Sequence, residues 1–157
     1  MTEKPSAKID KGTIGFDWEV DQDPQAVWAA LSTDEIASRW LSCKATIDAV
    51  PGGRVRFGWG DEETTEGVVT AVETGRILEY TWEQPGEDTS RVRWEIQPAD
   101  GGGTRLLLTH TDLTRPQDKV KELAAGWHDF LDALVAELNG TSHTSRHDEL
   151  LERYAKS

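Results

Sequence analysis

Alternation of apolar and polar residues along much of the chain predicts a set of β-strands. In TIGFDWEV, residues 13–20, the side chains of Ile14, Phe16, Trp18 and Val20 fall on one face. Six later segments have a comparable strand-type pattern: KATIDAV, RVRFGWG, GVVTAVE, RILEYTWEQ, SRVRWEIQP and TRLLLTHTDL. The links between these six are short, which favours antiparallel neighbours over crossover connections.

Helical spacing predicts two short helices and one long one. After the first strand, Asp23 and Pro24 are typical of a helix start. Ser32 and Glu35 then fit a capping box for a second short helix. A long helix is predicted from about Arg115 to Asn139, because apolar residues recur there three and four positions apart. This apolar stripe comprises Val120, Leu123, Trp127, Leu131, Leu134 and Leu138.

The order of these elements predicts an α+β fold. A seven-stranded curved antiparallel sheet wrapped on the long C-terminal helix would bury both apolar surfaces, with the two short helices after strand 1. A straight helix and a curved sheet do not match in shape, so a ligand cavity is expected between them. Residues 13–139 are expected to form a single domain. Residues 1–12 are expected to be a disordered lead-in, and 140–157 a flexible tail with a possible short helix.

Charge and composition limit the partners. The 157 residues include 17 Lys plus Arg and 29 Asp plus Glu, a formal net charge of -12. This charge would repel polyanions, so neither nucleic acid nor a membrane surface is expected as a partner. No apolar run approaches the roughly 20 residues that cross a bilayer, and the polar N-terminus does not resemble a secretory signal. Cys43 is the only cysteine, which favours a cytoplasmic location.

Seven tryptophans is an unusual number, and such large side chains are expected to line an interior or a cavity. Those on the strand faces and on the long helix could simply form a core. If part of them line the expected cavity, they suit a flat, apolar or aromatic small molecule. The candidate ligand-binding residues are Phe57, Trp59, Tyr80, Trp82, Trp94, His110, Trp127 and Leu131.

Two histidines are candidates for a catalytic role. His128 precedes Asp129 in GWHDFLDAL, but adjacent helical residues point about 100° apart, so the two do not form a dyad. We expect His128 to be half-buried and Asp129 to lie on the solvated side. His110 shares a face with Leu106 and Leu108 and therefore points inward. It could bind a ligand's polar group or act as a general base, or it could be a core histidine bonded to a backbone carbonyl.

No cofactor or metal site is predicted. His143 and His147 have a helical metal spacing, but no carboxylate or cysteine completes a ligand set. Cys43 lacks a partner motif and is interpreted as a buried or half-buried thiol. The glycine pairs are turn glycines, because no Lys-Ser/Thr follows them as in a phosphate loop. Gly126 in the long helix is expected to allow a close approach to the sheet.

Several local phrases, taken in order, carry a family resemblance: DPQAVWAAL (23–31), Arg39–Trp40 with Leu41, PGGRVRF (51–57), EGVV (66–69), ILEYTW (77–82), GGTRLLLTHTDL (102–113) and GWHDFLDAL (126–134). They resemble the START-like superfamily, also called SRPBCC, and within it the family named for homologues of the activator of Hsp-90 ATPase. The resemblance implies the helix-grip fold, also known from the birch-pollen allergens. It does not imply one activity, since superfamily members bind lipids, sterols or polyketides, transform them in some branches, or bind proteins.

Three functions therefore stay open. The first is a non-catalytic protein that binds a small hydrophobic or aromatic molecule between the long helix and the sheet. The second is a cyclase- or hydrolase-like enzyme that uses His110 in the same cavity. The third is a chaperone-interacting module, which the family name suggests. We favour the first, and we assign no catalytic residue.

Overall fold

The computed structural model describes residues 5–60 and 63–156. Within these ranges the chain forms eight strands and four α-helices. The strands are β1 (Lys8–Asp10), β2 (Thr13–Val20), β3 (Lys44–Ile47), β4 (Arg54–Gly58), β5 (Thr64–Glu73), β6 (Ile77–Trp82), β7 (Ser90–Pro98) and β8 (Thr104–Thr111). The helices are α1 (Pro24–Ser32), α2 (Asp34–Leu41), α3 (Gln117–Asn139) and α4 (His147–Ala155).

The strands form one curved antiparallel sheet in the order β1-β2-β8-β7-β6-β5-β4-β3. The pairing of β2 with β8 joins the first long strand to the last, with Phe16 opposite Leu108. The inward-facing apolar residues of both strands and of α3 belong to one core. The α+β architecture predicted from the sequence, a curved antiparallel sheet wrapped on a long C-terminal helix, is confirmed.

The sheet has eight strands, one more than predicted, because part of the expected disordered lead-in pairs with the sheet edge. In this part, Ile9 lies opposite Ile14 on β2. The chain reverses at Lys11 and Gly12, both at positive φ, which is the geometry of a tight hairpin turn. A three-residue strand is too short to show periodicity, so the sequence pattern could not reveal it. Residues 1–4 of the predicted lead-in lie outside the described residues.

The long helix α3 supplies the apolar face that the sheet wraps. Its predicted stripe is buried at Val120, Trp127, Leu131 and Leu134. The helix ends at Gly140, which adopts a left-handed conformation with φ 69°. None of the helices in the described part of the chain is long and apolar enough to cross a bilayer.

The close approach expected at Gly126 is found instead at Gly67. A Cβ added to Gly126 would meet nothing within 4 Å, so the expectation for this residue was wrong. A Cβ on Gly67, by contrast, would overlap the carbonyl oxygen of Thr81. The β5–β6 register shifts directly afterwards, between Val69 and Ala71. Gly67 thus brings two strands together where an irregular register bends the sheet.

The segment after α3 is attached to the domain and is not a free tail. Within it, residues His147–Ala155 form α4, whose Leu150 and Tyr154 are buried. Asp129 on α3 accepts hydrogen bonds from the backbone N–H of Arg146 and the hydroxyl of Ser145, both at 2.8 Å. Asp129 is therefore half-buried in the α3–α4 connection and not on a solvated face. Ser157 lies outside the described residues.

Candidate functional site

Most of the predicted ligand-binding residues form one ring cluster between the sheet and α3. Trp82, at the end of β6, has its ring centroid 5.3 Å from that of Trp127 on α3 and 5.4 Å from that of Phe57 on β4. Trp94 on β7 lies 5.8 Å from Trp127 on another side. Tyr80 lies 6.0 Å from Phe57. Leu131 is buried one turn further along α3, in the same core.

Trp59 occupies the edge of this cluster. It follows β4 directly and is half-buried, whereas the other seven predicted residues are buried. Its ring stacks on Phe130 of α3, with centroids 5.6 Å apart and planes 21° apart, and lies 6.3 Å from Trp82. Its indole N–H donates to Thr65 Oγ1 at 2.7 Å. Trp59 thus fills the space between the β4–β5 connection and α3.

A surface cleft of about 410 Å³ lies outside Trp59. We call it the mouth cleft; its walls include Thr65, Gln84, Pro85 and Glu87. Trp59 itself lines this cleft and also contacts the buried rings. Trp59 therefore lies between the mouth cleft and the aromatic cluster.

Arg115 orders the rim of the mouth cleft. Its Nη2 donates to Gln84 Oε1 at 2.7 Å, and its Nε lies 3.3 Å from Glu87 Oε2. Gln84 in turn donates through Nε2 to Thr65 Oγ1 at 3.3 Å. The side chain of Arg115 is only 14% exposed, so this ion pair is better shielded from water than an ordinary surface pair.

His110 lies at the inner end of this region and is fully buried. Its Nδ1 accepts a hydrogen bond from the indole N–H of Trp127 at 3.0 Å. Its Nε2 lies 2.7 Å from Ser90 Oγ, and Ser90 Oγ donates to the backbone carbonyl of Trp82 at 3.3 Å. The inward orientation predicted for His110 is correct, but its partners are side chains and not the expected backbone carbonyl.

This arrangement fixes the tautomer of His110. Because Nδ1 accepts, the proton of the neutral ring sits on Nε2, which donates to Ser90. A general base facing the Ser90 hydroxyl would need Nε2 without its proton, and Nδ1–H would then oppose the indole N–H of Trp127. Burial lowers the pKa of His110 to about 3, with a further contribution from the positive charge of Arg115. His110 is therefore neutral, and both of its ring nitrogens are engaged in hydrogen bonds.

Ser90 was not among the residues singled out from the sequence. It alternates with Val92 and Trp94 on the inward face of β7, and it lies directly opposite Trp82. This alternation could have revealed it, because a polar residue on the apolar face of a strand needs a partner.

The indole N–H of Trp82 differs from those of its neighbours. Trp94 donates to Tyr80 Oη at 3.0 Å, and Trp40 donates to the carbonyl of Ala30 at 2.9 Å. Trp127 donates to His110, as described above. Trp82 is 4% exposed, and among the described residues its Nε1 has no hydrogen-bond partner. A buried donor without an acceptor is unusual in a native core and costs about 1–3 kcal/mol.

His128 belongs to a different part of the fold. It is fully buried, deeper than the half-buried position expected, and its Nδ1 lies 2.8 Å from the hydroxyl of Tyr154. Its ring packs edge-on against Phe16 and Trp18 of β2 at 5.9 and 5.3 Å. It therefore joins α3, α4 and β2, and it does not pair with Asp129.

Cys43 and the remaining histidines form no second site. The thiol of Cys43 is half-buried, and burial raises its pKa to about 11, so it is protonated at neutral pH. His143 lies 3.4 Å from Asp129 Oδ1 in the α3–α4 connection. Among residues 5–60 and 63–156, no group of three or more His, Cys, Asp or Glu side chains could hold a metal ion.

Solved structures of similar shape are numerous. A protein from Mesorhizobium loti, MLL2253, is 25% identical with a TM-score of 0.73, over 83% of this chain and 98% of that one. CalU16 from Micromonospora echinospora is 22% identical with a TM-score of 0.74, over 96% of this chain and 93% of that one. An Hsp90 activator from Plasmodium falciparum is 18% identical with a TM-score of 0.70, over 85% of this chain and 100% of that one. The likeness to the last two shows the fold alone.

Sequence comparison identifies the family. No curated protein matches this chain at a significant level. A family model described as "Activator of Hsp90 ATPase homolog 1-like protein" matches residues 21–139, most of the chain and the whole span from the end of β2 to the end of α3. The chain therefore belongs to the family of Activator of Hsp90 ATPase homolog 1-like proteins.

Proposed function

We propose that this protein binds a small, uncharged, hydrophobic or aromatic molecule between α3 and the sheet. The ligand would contact Phe57, Trp59, Tyr80, Trp82, Trp94, His110, Trp127 and Leu131. The observation that carries the proposal is the position of Trp59, which lines the mouth cleft on one side and contacts the buried rings on the other.

A ligand that reaches the buried rings displaces the side chain of Trp59. Turning away from Phe130 would cost one hydrogen bond to Thr65 and one ring stack, each about 1 kcal/mol. A ligand ring that takes its place contacts the faces of Phe57 and Trp82 and buries apolar area of its own. At about 25 cal/mol per Å², the apolar area that a bicyclic aromatic molecule buries offsets this cost.

The enzyme alternative has less support. It needs His110 as an acid or base, but both ring nitrogens are engaged and burial holds the pKa near 3. A neutral Nε2–H can shape the wall and hold Ser90 in place. The proposal therefore treats His110 as a binding residue without a catalytic role.

A titration with the uncharged naphthalene dye Prodan tests the proposal. Bound dye emits at shorter wavelength and receives energy from the tryptophans, so saturable binding with one site is expected. Trp59→Ala is expected to change the affinity at least severalfold, whereas Trp28→Ala, which removes a half-buried tryptophan of α1 outside the cluster, leaves it unchanged. Failure of Prodan to bind, or equal effects of the two variants, would contradict the proposal.

A chaperone partner is a second candidate, supported by family membership and by the fold shared with the Plasmodium falciparum Hsp90 activator. It can be tested by isothermal titration of this protein into purified Hsp90, together with the ATPase rate of Hsp90. A rate increase would support it, and the absence of both heat and rate change would exclude it. We also propose a cytoplasmic location, because the single cysteine leaves no internal disulfide to form.

A further inference from the structure

We propose that the ligand of this site carries an uncharged carbonyl-type oxygen, and that the indole N–H of Trp82 binds it. This inference rests on the proposed function and specifies the chemical class of the ligand. It predicts that aromatic ketones, and related molecules with one acceptor oxygen, bind in preference to hydrocarbons of the same shape.

The indole N–H of Trp82 is a hydrogen-bond donor that a ligand could use. The side chain is 4% exposed, and its Nε1 lacks an acceptor among the described residues. The same ring contacts Phe57, Trp127, His110 and Trp59, so the indole that carries this donor belongs to the aromatic cluster. A ligand oxygen beside Trp82 would remove the cost of the unsatisfied group in addition to forming a bond.

Nearby protein acceptors are already occupied. His110 Nδ1 accepts from Trp127, and Ser90 Oγ accepts from His110 Nε2. Thr65 Oγ1 accepts from Trp59 and from Gln84. A rotamer change that gave Trp82 one of these acceptors would leave another buried donor unsatisfied. An incoming molecule can satisfy Trp82 without that loss.

The charge around the mouth cleft disfavours an anionic ligand. The mouth cleft carries Glu63 and Glu87, and the whole chain has a net charge of -12, so an anionic ligand would be repelled at the entrance. Arg115, the cation at the rim, is engaged by Glu87 and Gln84. His110 is neutral and cannot compensate a buried negative charge. A neutral oxygen is therefore the acceptor that the site accommodates at least cost.

Two matched competitors test the inference: 2-acetylnaphthalene, which has a carbonyl oxygen, and 2-ethylnaphthalene, which lacks it and is of similar size. Each displaces Prodan, and each inhibition constant is corrected for the compound's octanol–water partition. In the wild type, the ketone is expected to bind about 3- to 10-fold more tightly than the hydrocarbon, the range of one net hydrogen bond. In Trp82→Phe this preference is expected to fall to about 1-fold, because the donor is gone.

Trp40→Phe is the matched control, since it removes a buried indole N–H that already donates to the carbonyl of Ala30, at a residue outside the proposed ligand contacts. It is expected to keep the preference for the ketone. A preference that persists in Trp82→Phe, or that is absent in the wild type while Prodan still binds, would overturn the inference but not the proposed function. If neither Prodan nor the competitors bind, both fail.

Proton–nitrogen NMR of the wild type gives a second measurement that does not depend on how a variant folds. The indole N–H peak of Trp82 is expected to move downfield with 2-acetylnaphthalene and not with 2-ethylnaphthalene. The peak of Trp40 is expected to show no such difference. Equal responses of Trp82 to the two compounds would contradict the inference.

Discussion

The indole N–H of Trp127 donates to Nδ1 of His110 across 3.0 Å, and this bond joins the middle of α3 to the end of β8. It also determines that His110 carries its proton on Nε2 and donates to Ser90. The Trp127–His110 hydrogen bond therefore holds α3 against the sheet. Because both ring nitrogens of His110 are hydrogen-bonded, the residue does not act as an acid or base. We therefore expect His110 to contribute to the stability of the fold and not to turnover.

Replacing His110 by alanine is expected to lower the free energy of unfolding by about 2–4 kcal/mol. The change opens a cavity and leaves the Trp127 N–H and the Ser90 hydroxyl without their partner. Urea denaturation measures it, with His143→Ala in the α3–α4 connection as a control that loses little. A His110→Ala protein with wild-type stability would contradict the structural role.

His110 also predicts a pH dependence. Its pKa is about 3 in the folded protein against an ordinary 6.5, because burial disfavours the charged ring. Above pH 6.5 its contribution to stability is fully present. As the pH falls from 6.5 towards 3, the unfolded chain binds a proton that the folded one does not, so stability is lost.

Between pH 7 and 5.5, which is above the ordinary range of carboxylates, this loss amounts to about 1 kcal/mol. The measurement compares urea denaturation of the wild type with that of His110→Gln at both pH values. The variant is expected to lose about 1 kcal/mol less than the wild type over this interval. Parallel behaviour of the two proteins would contradict the buried, neutral state of His110.

The attachment of α4 depends on the hydroxyl of Tyr154. This oxygen accepts from the backbone N–H of Ala7 at 2.8 Å and lies 2.8 Å from His128 Nδ1. Tyr154→Phe is expected to cost about 1–3 kcal/mol and to speed amide hydrogen exchange in β1 and α4. Exchange in β6 and β7 should rise only as far as global stability falls. Unchanged exchange at Ala7 would contradict this account.

Two glycines are expected to respond in opposite directions to alanine. Gly67→Ala forces a methyl group into the carbonyl of Thr81, so a loss of at least 2 kcal/mol is expected. Gly126→Ala meets open space on a helix and should gain about 0.5–1 kcal/mol. Thermal unfolding of the two variants tests the pair. Equal effects would show that the strand approach at Gly67 does not constrain the sheet.

The sequence pattern was sufficient for the main architecture, for a physical reason. Alternation in strands such as TIGFDWEV and the stripe through Trp127 and Leu131 report which face is buried, and burial decides the layers. Features that depend on single contacts were missed. The strand Lys8–Asp10 is too short to carry a period, and the attachment of α4 through Asp129 and Tyr154 joins residues distant in sequence.

The candidate site also depends on contacts between residues that are distant in sequence. Alternation correctly placed His110 on the inward face, but its partner Trp127 lies on another element, and no local pattern reports the tautomer that this contact selects. The Trp82 indole offered no sequence signal, because its lack of an acceptor among the described residues is a property of the packed core. Ser90 could have been found from its alternation with Val92.

If the protein binds a small aromatic molecule as proposed, this molecule enters beside Trp59 and contacts Trp82 and Trp127. Intermolecular nuclear Overhauser effects between isotope-labelled protein and bound 2-acetylnaphthalene test it most directly. We expect contacts from the ligand protons to the rings of Trp59, Trp82 and Trp127, and none to Trp18 or Tyr154. Contacts confined to surface residues, or to the α3–α4 side of the molecule, would contradict it.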